Sequence, residues 1–268
     1  MAVRKNTIPL FTITLLSFFI ISCDKKEGCM DDTASNYDPD AEKDCCCEYI
    51  VDDHTSYKLH MHQFVGAEEF VPGNLYTIGG VKTQLDVARF YISNIRLVDS
   101  AGNETPFTGI YLLADPGFED YDLGDQFAGN YTKIRLDIGL DSATNHSDPG
   151  DYPSSSPLSY QSPAMNWGWD FGYMFMLIHG EVDTDNDGIT DGNLINHLGT
   201  DDFLTTVEID YALITEPATE NIIHLTVNWA DFYNGIDLST DYHTEVTDDP
   251  VLANALRLNI PDMITAEE

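Results

Sequence analysis

An acidic segment of the chain has the spacing of a calcium-binding loop. Residues 183–191 read Asp-Thr-Asp-Asn-Asp-Gly-Ile-Thr-Asp, with carboxylates at positions 1, 3, 5 and 9, a glycine at 6 and a carbonyl at 7. Oxygen ligands at these positions converge when the chain turns sharply at the glycine. Leu194 stands where an EF-hand has its glutamate, so the loop is closer to those of thrombospondin type 3 repeats and dockerins. We predict Ca²⁺ here, with an ion-free acidic hairpin as the alternative. The expected ligands are Asp183, Asp185, Asp187, Ile189 and Asp191.

Two histidines have the spacing of half a transition-metal site. His60 and His62 alternate with the apolar residues Tyr57, Leu59 and Met61. On a β-strand this alternation places both imidazoles on one face and the apolar side chains on the other. Imidazole is a good ligand for zinc and copper. Ordinary surface histidines, or histidines with hydrogen-bond partners, are the simpler alternative.

The sequence gives little support for catalysis. It has no Gly-x-Ser-x-Gly motif, and its many carboxylates show no spacing that selects a glycosidase pair. Met165, Trp167 and Trp169 could stack on a sugar, although alternating aromatic side chains on a strand are more typical of a core. We therefore expect that the protein is not an enzyme, with a carbohydrate-active enzyme as the weakest functional alternative.

Residues 1–22 have the pattern of an export signal. Arg4 and Lys5 precede a mostly apolar run at 8–21 that is too short to span a bilayer as a stable helix. The sequence Ile-Ile-Ser-Cys at 20–23 is similar to a bacterial lipobox. We expect lipidation of Cys23 and anchoring to the cell envelope, at the periplasmic or surface face of the outer membrane. An uncleaved anchor or a plain signal peptide is the alternative.

We interpret residues 23–53 as an acidic spacer ahead of a domain at 54–268. The spacer is similar to the cysteine-bracketed acidic repeats of secreted Bacteroidetes proteins. Export to an oxidising compartment favours disulfides, and adjacent cysteines pair poorly. We expect the first spacer cysteine after the lipobox to pair with one of the later run of three, with a thiolate metal clip as the alternative. The disulfide candidates are Cys29, Cys45, Cys46 and Cys47.

Charge excludes whole classes of partner. The chain has 12 basic and 46 acidic residues and a formal net charge of −34. Binding of phosphate groups needs lysine and arginine, so nucleic acid and anionic lipid surfaces are excluded, and the lipid anchor would be the only membrane contact. Metal cations remain attractive partners.

The apolar pattern predicts an all-β fold. Segments with strand-like patterns are separated by Gly, Pro, Asn and Asp, which favours an antiparallel β-sandwich of immunoglobulin-like or jelly-roll-like type. A long loop at Ser142–Asn166 is of the kind that often carries function. Near the end, Asp249 and Pro250 predict the start of a short helix. The predicted strands include Tyr57–Met61, Leu85–Leu97, Ile110–Leu113, Ile134–Ile138, Trp169–Leu177, Phe203–Ile209 and Ile222–Trp229.

Five segments of the chain together resemble the ordered blocks of a known family. These blocks are Leu85–Leu97, Tyr131–Gly139, Asn145–Asp148, Ser156–Tyr173 and His197–Gly199. They resemble the MbnP-type copper-binding proteins, which are periplasmic proteins found beside methanobactin operons and are common as Bacteroidetes lipoproteins. The resemblance covers residues 57–262 and implies a β-sandwich copper protein without enzymatic turnover.

The resemblance also implies a set of copper ligands. Family members bind copper through histidines and, in some, through a tryptophan that a MauG-type diheme partner oxidises to kynurenine. That tryptophan lies two residues before a ligand histidine, which is the spacing of His60 and His62, so His60 stands where the tryptophan is expected. This departure argues against a kynurenine and a diheme partner, and a third imidazole could take the same coordination position. His146 and His197 lie in matching blocks, so the implied ligands are His60, His62, His146 and His197.

These observations predict a membrane-anchored, exported copper-binding protein for copper acquisition, storage or handling, with a structural calcium loop. The alternative is a calcium-stabilised cell-surface module, adhesive or structural, without a transition metal.

Overall fold

The computed structural model describes residues 25–49, 53–168, 171–245 and 248–267. The chain divides into two compact units, Met1–Val51 and Asp52–Glu268. The predicted export signal, Cys23 and Trp169 lie outside the described residues. Within those residues, no helix combines the length and apolar character needed to cross a membrane.

The first unit is closed by a disulfide. Strands β1 (Glu27–Gly28) and β2 (Lys43–Asp44) form a short parallel pair. Cys29 is buried and is bonded to Cys47, with their Cα atoms 4.7 Å apart. The other two cysteines of the run are free thiols. The sequence left three partners open for Cys29, and the structure places the bond at the last of them.

The second unit is mostly strand. Its strands are β3 (His54–Val65), β4 (Glu68–Glu69), β5 (Leu75–Ile78), β6 (Val81–Asp99), β7 (Glu104–Pro106), β8 (Leu112–Ala114), β9 (Asp120–Phe127), β10 (Asn130–Ile138), β11 (Asn166–Gly168), β12 (Gly172–Val182), β13 (Gly192–Gly199), β14 (Thr205–Ile214), β15 (Glu220–Asn228), β16 (His243–Thr244) and β17 (Ile264–Ala266). Its helices are α1 (Ser142–Asn145), α2 (Trp229–Phe232) and α3 (Pro250–Met263), with 3₁₀ turns at Pro149–Asp151 and Asp201–Phe203.

The strands form two sheets that share a core. The larger sheet has the order β14-β10-β6-β12-β13-β16, and the smaller has the order β17-β15-β3-β4 with β9 also paired to β3. Alternate residues of both sheets, such as Leu59 and Leu225 from the smaller and Ile178 and Leu194 from the larger, are buried in one cluster. The predicted all-β sandwich is confirmed. Its sheets are mixed rather than purely antiparallel, because β3 pairs with β15 in parallel.

The outer face of the larger sheet carries a second, smaller apolar cluster. Tyr91, Tyr173 and Leu177 project from the sheet into this cluster. The long segment after β10 covers them with the buried side chains of Leu158 and Met165. The predicted long loop is therefore packed against the sheet over part of its length.

Helix α3 begins where the sequence predicts. The Asp249 side chain accepts hydrogen bonds from the backbone N–H groups of Val251 and Leu252, and Pro250 occupies the first turn. The face that includes Leu252 and Leu256 is buried, while Val251 is exposed. The helix leads directly into β17, which adds a strand to the smaller sheet beside β15.

Candidate metal centre

His60 and His62 form a close pair on the outer face of the smaller sheet. Leu59 and Met61 are fully buried in the core, so the alternation of β3 directs both imidazoles outward. Their Nε2 atoms are 2.9 Å apart. The His60 side chain is 17% exposed and that of His62 is 37% exposed, so a metal ion can reach the pair from solvent.

A carboxylate holds the back of each imidazole. His60 Nδ1 lies 2.7 Å from Asp120 Oδ1, and His62 Nδ1 lies 2.7 Å from Glu267 Oε1. Because an ionised carboxylate only accepts hydrogen bonds, each Nδ1 must carry the hydrogen. Each neutral ring then presents a lone pair at Nε2, and the two lone pairs face each other. Such a contact needs a cation or an added proton between the two nitrogens.

Further ligand atoms surround the pair. His224 on β15 lies opposite His60 in the parallel ladder, with the two ring centroids 5.1 Å apart. Glu119 Oε2 is 4.0 Å from His62 Nε2, and the candidate ligand atoms of Glu119, His60 and His62 all lie within 4.8 Å of one another. The centre therefore offers two imidazoles and a carboxylate, with a third imidazole at its border.

Glu267 serves two histidines at once. Besides its contact with His62, it places Oε2 3.3 Å from His224 Nδ1. Burial raises the pKa of Glu267, but the hydrogen bond with His62 and the electrostatic interactions with His62, His224 and His60 outweigh that effect and hold the pKa below its usual value. The carboxylate therefore stays ionised and keeps fixing the His62 tautomer.

A cleft gives access to the centre from one side. It has a volume of about 230 Å³ and is lined by His62, Glu119 and Pro116, with Phe64 and Phe70 as apolar walls. A metal ion with a few small ligands, such as water molecules, fits this space.

The structure does not assemble the four-histidine copper shell expected from the resemblance. His146 follows α1, where its Nε2 lies 3.4 Å from Asp201 Oδ1. His197 lies on β13 of the larger sheet and contacts His179, not the β3 pair. Of the four implied ligands, the structure brings together only His60 and His62. His146 and His197 were implied by matching sequence blocks, and a shared block does not show which side chains are neighbours in space.

His179 and His197 form a second close imidazole pair, with their Nε2 atoms 2.7 Å apart. Burial lowers the pKa of His179. Burial and the proximity of His179 lower the pKa of His197. Burial therefore favours the neutral form of both rings.

The acidic loop between β12 and β13 brings three of its carboxylates together. Oxygens of Asp183, Asp185 and Asp187 lie within 4.8 Å of one another, and Asp183 is buried. The backbone N–H of Gly188 donates to Asp183 Oδ2 over 2.8 Å. Asp191 is turned aside and accepts from the backbone N–H and the hydroxyl of Thr184. The structure thus groups three of the four predicted carboxylate ligands.

Sequence reasoning overlooked several contributors to these sites. His224 alternates with the buried Ile223 and Leu225, so its outward direction was readable, but its pairing with β3 was not. His179 was also readable, since it precedes the acidic loop as His197 follows it in one hairpin. No local pattern singles out Asp120 or Glu267.

Comparison with known proteins links the chain to one family. The MbnP family model matches residues 54–248. Among solved structures, MbnP from Methylosinus trichosporium is similar, with a TM-score of 0.55 and 17% sequence identity over 76% of this chain and 87% of that one. At that identity the structural likeness shows the fold alone. A search of curated proteins gave no match.

Proposed function

Because the chain belongs to the MbnP family, we propose that it is a copper-binding protein whose centre is the His60–His62 pair. The proposal depends on which ring nitrogens of this pair carry a hydrogen and which carry a lone pair. Asp120 and Glu267 take the two Nδ1 hydrogens, which leaves two Nε2 lone pairs only 2.9 Å apart. A bound metal ion satisfies both lone pairs at once.

The donor set suits copper. Neutral imidazole binds copper and zinc, and affinity for divalent first-row ions in nitrogen sites is highest for Cu²⁺. Each ligand histidine is backed by a carboxylate, an arrangement that fixes the tautomer and raises the basicity of the ligand. In some members of the family that the sequence resembles, an oxidised tryptophan is a copper ligand. His60 stands at the position of that tryptophan and would supply its own nitrogen, so the proposed centre needs no kynurenine and no diheme partner. Glu119 or His224 would complete the coordination.

The role we propose is acquisition, storage or handling of copper without enzymatic turnover. The formal net charge of −34 raises the local concentration of cations around the protein without selecting among them. Selection then depends on the imidazole pair. We place no chemical step at the centre beyond binding and release of the ion.

Copper titration tests the proposal. Wild type should bind Cu(I) or Cu²⁺ stoichiometrically, and the variant H60A/H62A should lose one equivalent. H146A is the matched control, because His146 is an exposed histidine beside Asp201 and should leave copper binding unchanged. Equal copper uptake by wild type and H60A/H62A would reject the centre and would favour a calcium-stabilised surface module instead.

We also propose that the acidic loop binds Ca²⁺ as a structural ion. The convergence of Asp183, Asp185 and Asp187 supports this role, and the Ile189 carbonyl is a further candidate ligand. Asp191 would have to turn away from Thr184 to join them.

We also propose that the protein is anchored to the cell envelope by a lipid on Cys23. The proposal is based on the lipobox-like sequence Ile-Ile-Ser-Cys at 20–23. Cys23→Ala should leave unprocessed precursor in a bacterial host, and globomycin should do the same to wild type. Normal processing of the variant to a soluble product would contradict lipidation.

A further inference from the structure

The His179–His197 pair lies on the opposite side of the sandwich from the β3 pair. On β13, Leu194 and Leu198 face the shared core, so His197 points to the outer face of the larger sheet. In the β12–β13 ladder, His179 is opposite Ile195 and Leu177 is opposite His197. The two histidines are therefore diagonal neighbours, the arrangement in which long side chains of adjacent strands meet.

In this pair, one buried ring nitrogen has no hydrogen-bond partner. One hydrogen shared between the two Nε2 atoms over 2.7 Å satisfies those atoms. Nδ1 of His197, however, is buried and has no hydrogen-bond partner among the described residues. If His197 donates through Nε2, its Nδ1 is an acceptor without a donor. If it accepts there, its Nδ1–H has no acceptor within reach. Either state leaves a buried polar group unpaired, which is unfavourable.

We propose that His179 and His197 bind a second late first-row transition metal ion, copper or zinc, through their Nε2 atoms. The ion uses both lone pairs, which fixes the hydrogen of His197 on Nδ1. Glu245 Oε1 is the nearby acceptor, 3.7 Å from that nitrogen, so a small movement completes a carboxylate–imidazole–metal arrangement. This site does not rest on copper binding at the β3 pair.

The backbone beside each of the two histidines is closely packed. A Cβ atom on Gly180, next to His179, would lie 1.9 Å from the Gln84 carbonyl oxygen of β6. A Cβ on Gly199 would lie 2.5 Å from Trp167, whose ring is 6.4 Å from that of His197. Only glycine permits this approach of strand and indole, so the strands that carry the second pair are closely packed against their neighbours.

The test counts metal ions in variants that isolate each pair. The protein would be loaded separately with Zn²⁺ and with Cu²⁺, dialysed, and measured by elemental analysis. H60A/H62A should retain one equivalent, and adding H179Q should remove it. Adding H146A instead is the matched control and should change nothing.

Two outcomes would overturn the proposal, namely no retained ion in H60A/H62A or an undiminished ion after H179Q is added. Thermal melting of each variant would verify folding, and H197Q provides a second variant if H179Q is unstable. Failure of the β3 centre gives a different result, since wild type and H60A/H62A would then bind equal amounts.

Discussion

The two imidazole pairs have similar distances but differ in what stands behind the rings. In the β3 pair, both Nδ1 atoms lie 2.7 Å from a carboxylate oxygen. In the β12–β13 pair, the nearest carboxylate to His197 Nδ1 is 3.7 Å away. The first pair is thus oriented by formed hydrogen bonds, whereas the second is kept neutral by burial and positioned by packing.

The difference illustrates two ways in which a protein can favour the metal-binding form of an imidazole. A carboxylate behind the ring sets the tautomer before the ion arrives, and the ion then meets lone pairs that are already aimed. Burial instead lowers the pKa and removes competing protons, but it leaves the tautomer open until the ion binds. We expect the β3 pair to bind a metal ion more tightly than the second pair does. We expect metal affinity at the second pair to depend more on the packing around its two rings.

The largest expected effect comes from removing a carboxylate behind the first pair. Glu267→Gln should weaken copper binding by about 10–100-fold, because the neutral amide can donate to His62 Nδ1 as well as accept from it and so no longer fixes the tautomer. Competition titration against a chelator of known affinity measures the change. Glu220→Gln, on the same sheet but paired with Lys58, is the matched control. If Glu267→Gln binds copper as wild type does, the carboxylate does not prepare the pair.

A smaller effect is expected from the acidic loop, which joins the two strands of the second pair. Calcium at about ten times its dissociation constant should stabilise the protein by about 1.4 kcal/mol, or about 3–6 °C in melting temperature. Asp187→Ala should abolish this increment, and Asp202→Ala should not. Asp187→Ala should also weaken metal binding at His179 and His197 without affecting the β3 pair. A calcium-independent melting curve in wild type would count against the loop site.

The smallest effect lies far from both pairs, at Glu208 on β14. Hydrogen bonds from Lys133 and Arg135 lower the pKa of Glu208 to about 2. The unfolded chain therefore binds a proton on this group at a higher pH than the folded one does. Its contribution to stability is full above about pH 4.5 and is lost as the pH falls towards about 2.

Acid unfolding of metal-free protein tests this contribution. Glu208→Gln should flatten stability against pH within that window, whereas Asp210→Asn, at a carboxylate whose side chain is 92% exposed, should not. Metal binding at neutral pH should be the same in both variants. An unchanged acid slope in Glu208→Gln would show that the ion pairs are screened by solvent.

Much of the fold could be predicted from local pattern, and the centres only in part. Alternation around Leu59 and Met61 was enough to place His60 and His62 on one outward face, and the cap at Asp249 located α3. His146 and His197 were grouped with them from matching sequence blocks, but His146 follows α1 and His197 lies on β13 of the other sheet. Which strands are neighbours is non-local information. For example, β3 pairs in parallel with β15, and no turn sequence indicates this pairing.

The position of Glu267 would link the proposed metal binding to the order in which the protein is made. Glu267 follows His62 by 205 residues and lies next to β17, which joins the smaller sheet beside β15. A chain still being synthesised therefore contains both histidines before it contains the carboxylate that orients one of them. On the proposed function, the centre would be complete only once β17 has joined the sheet.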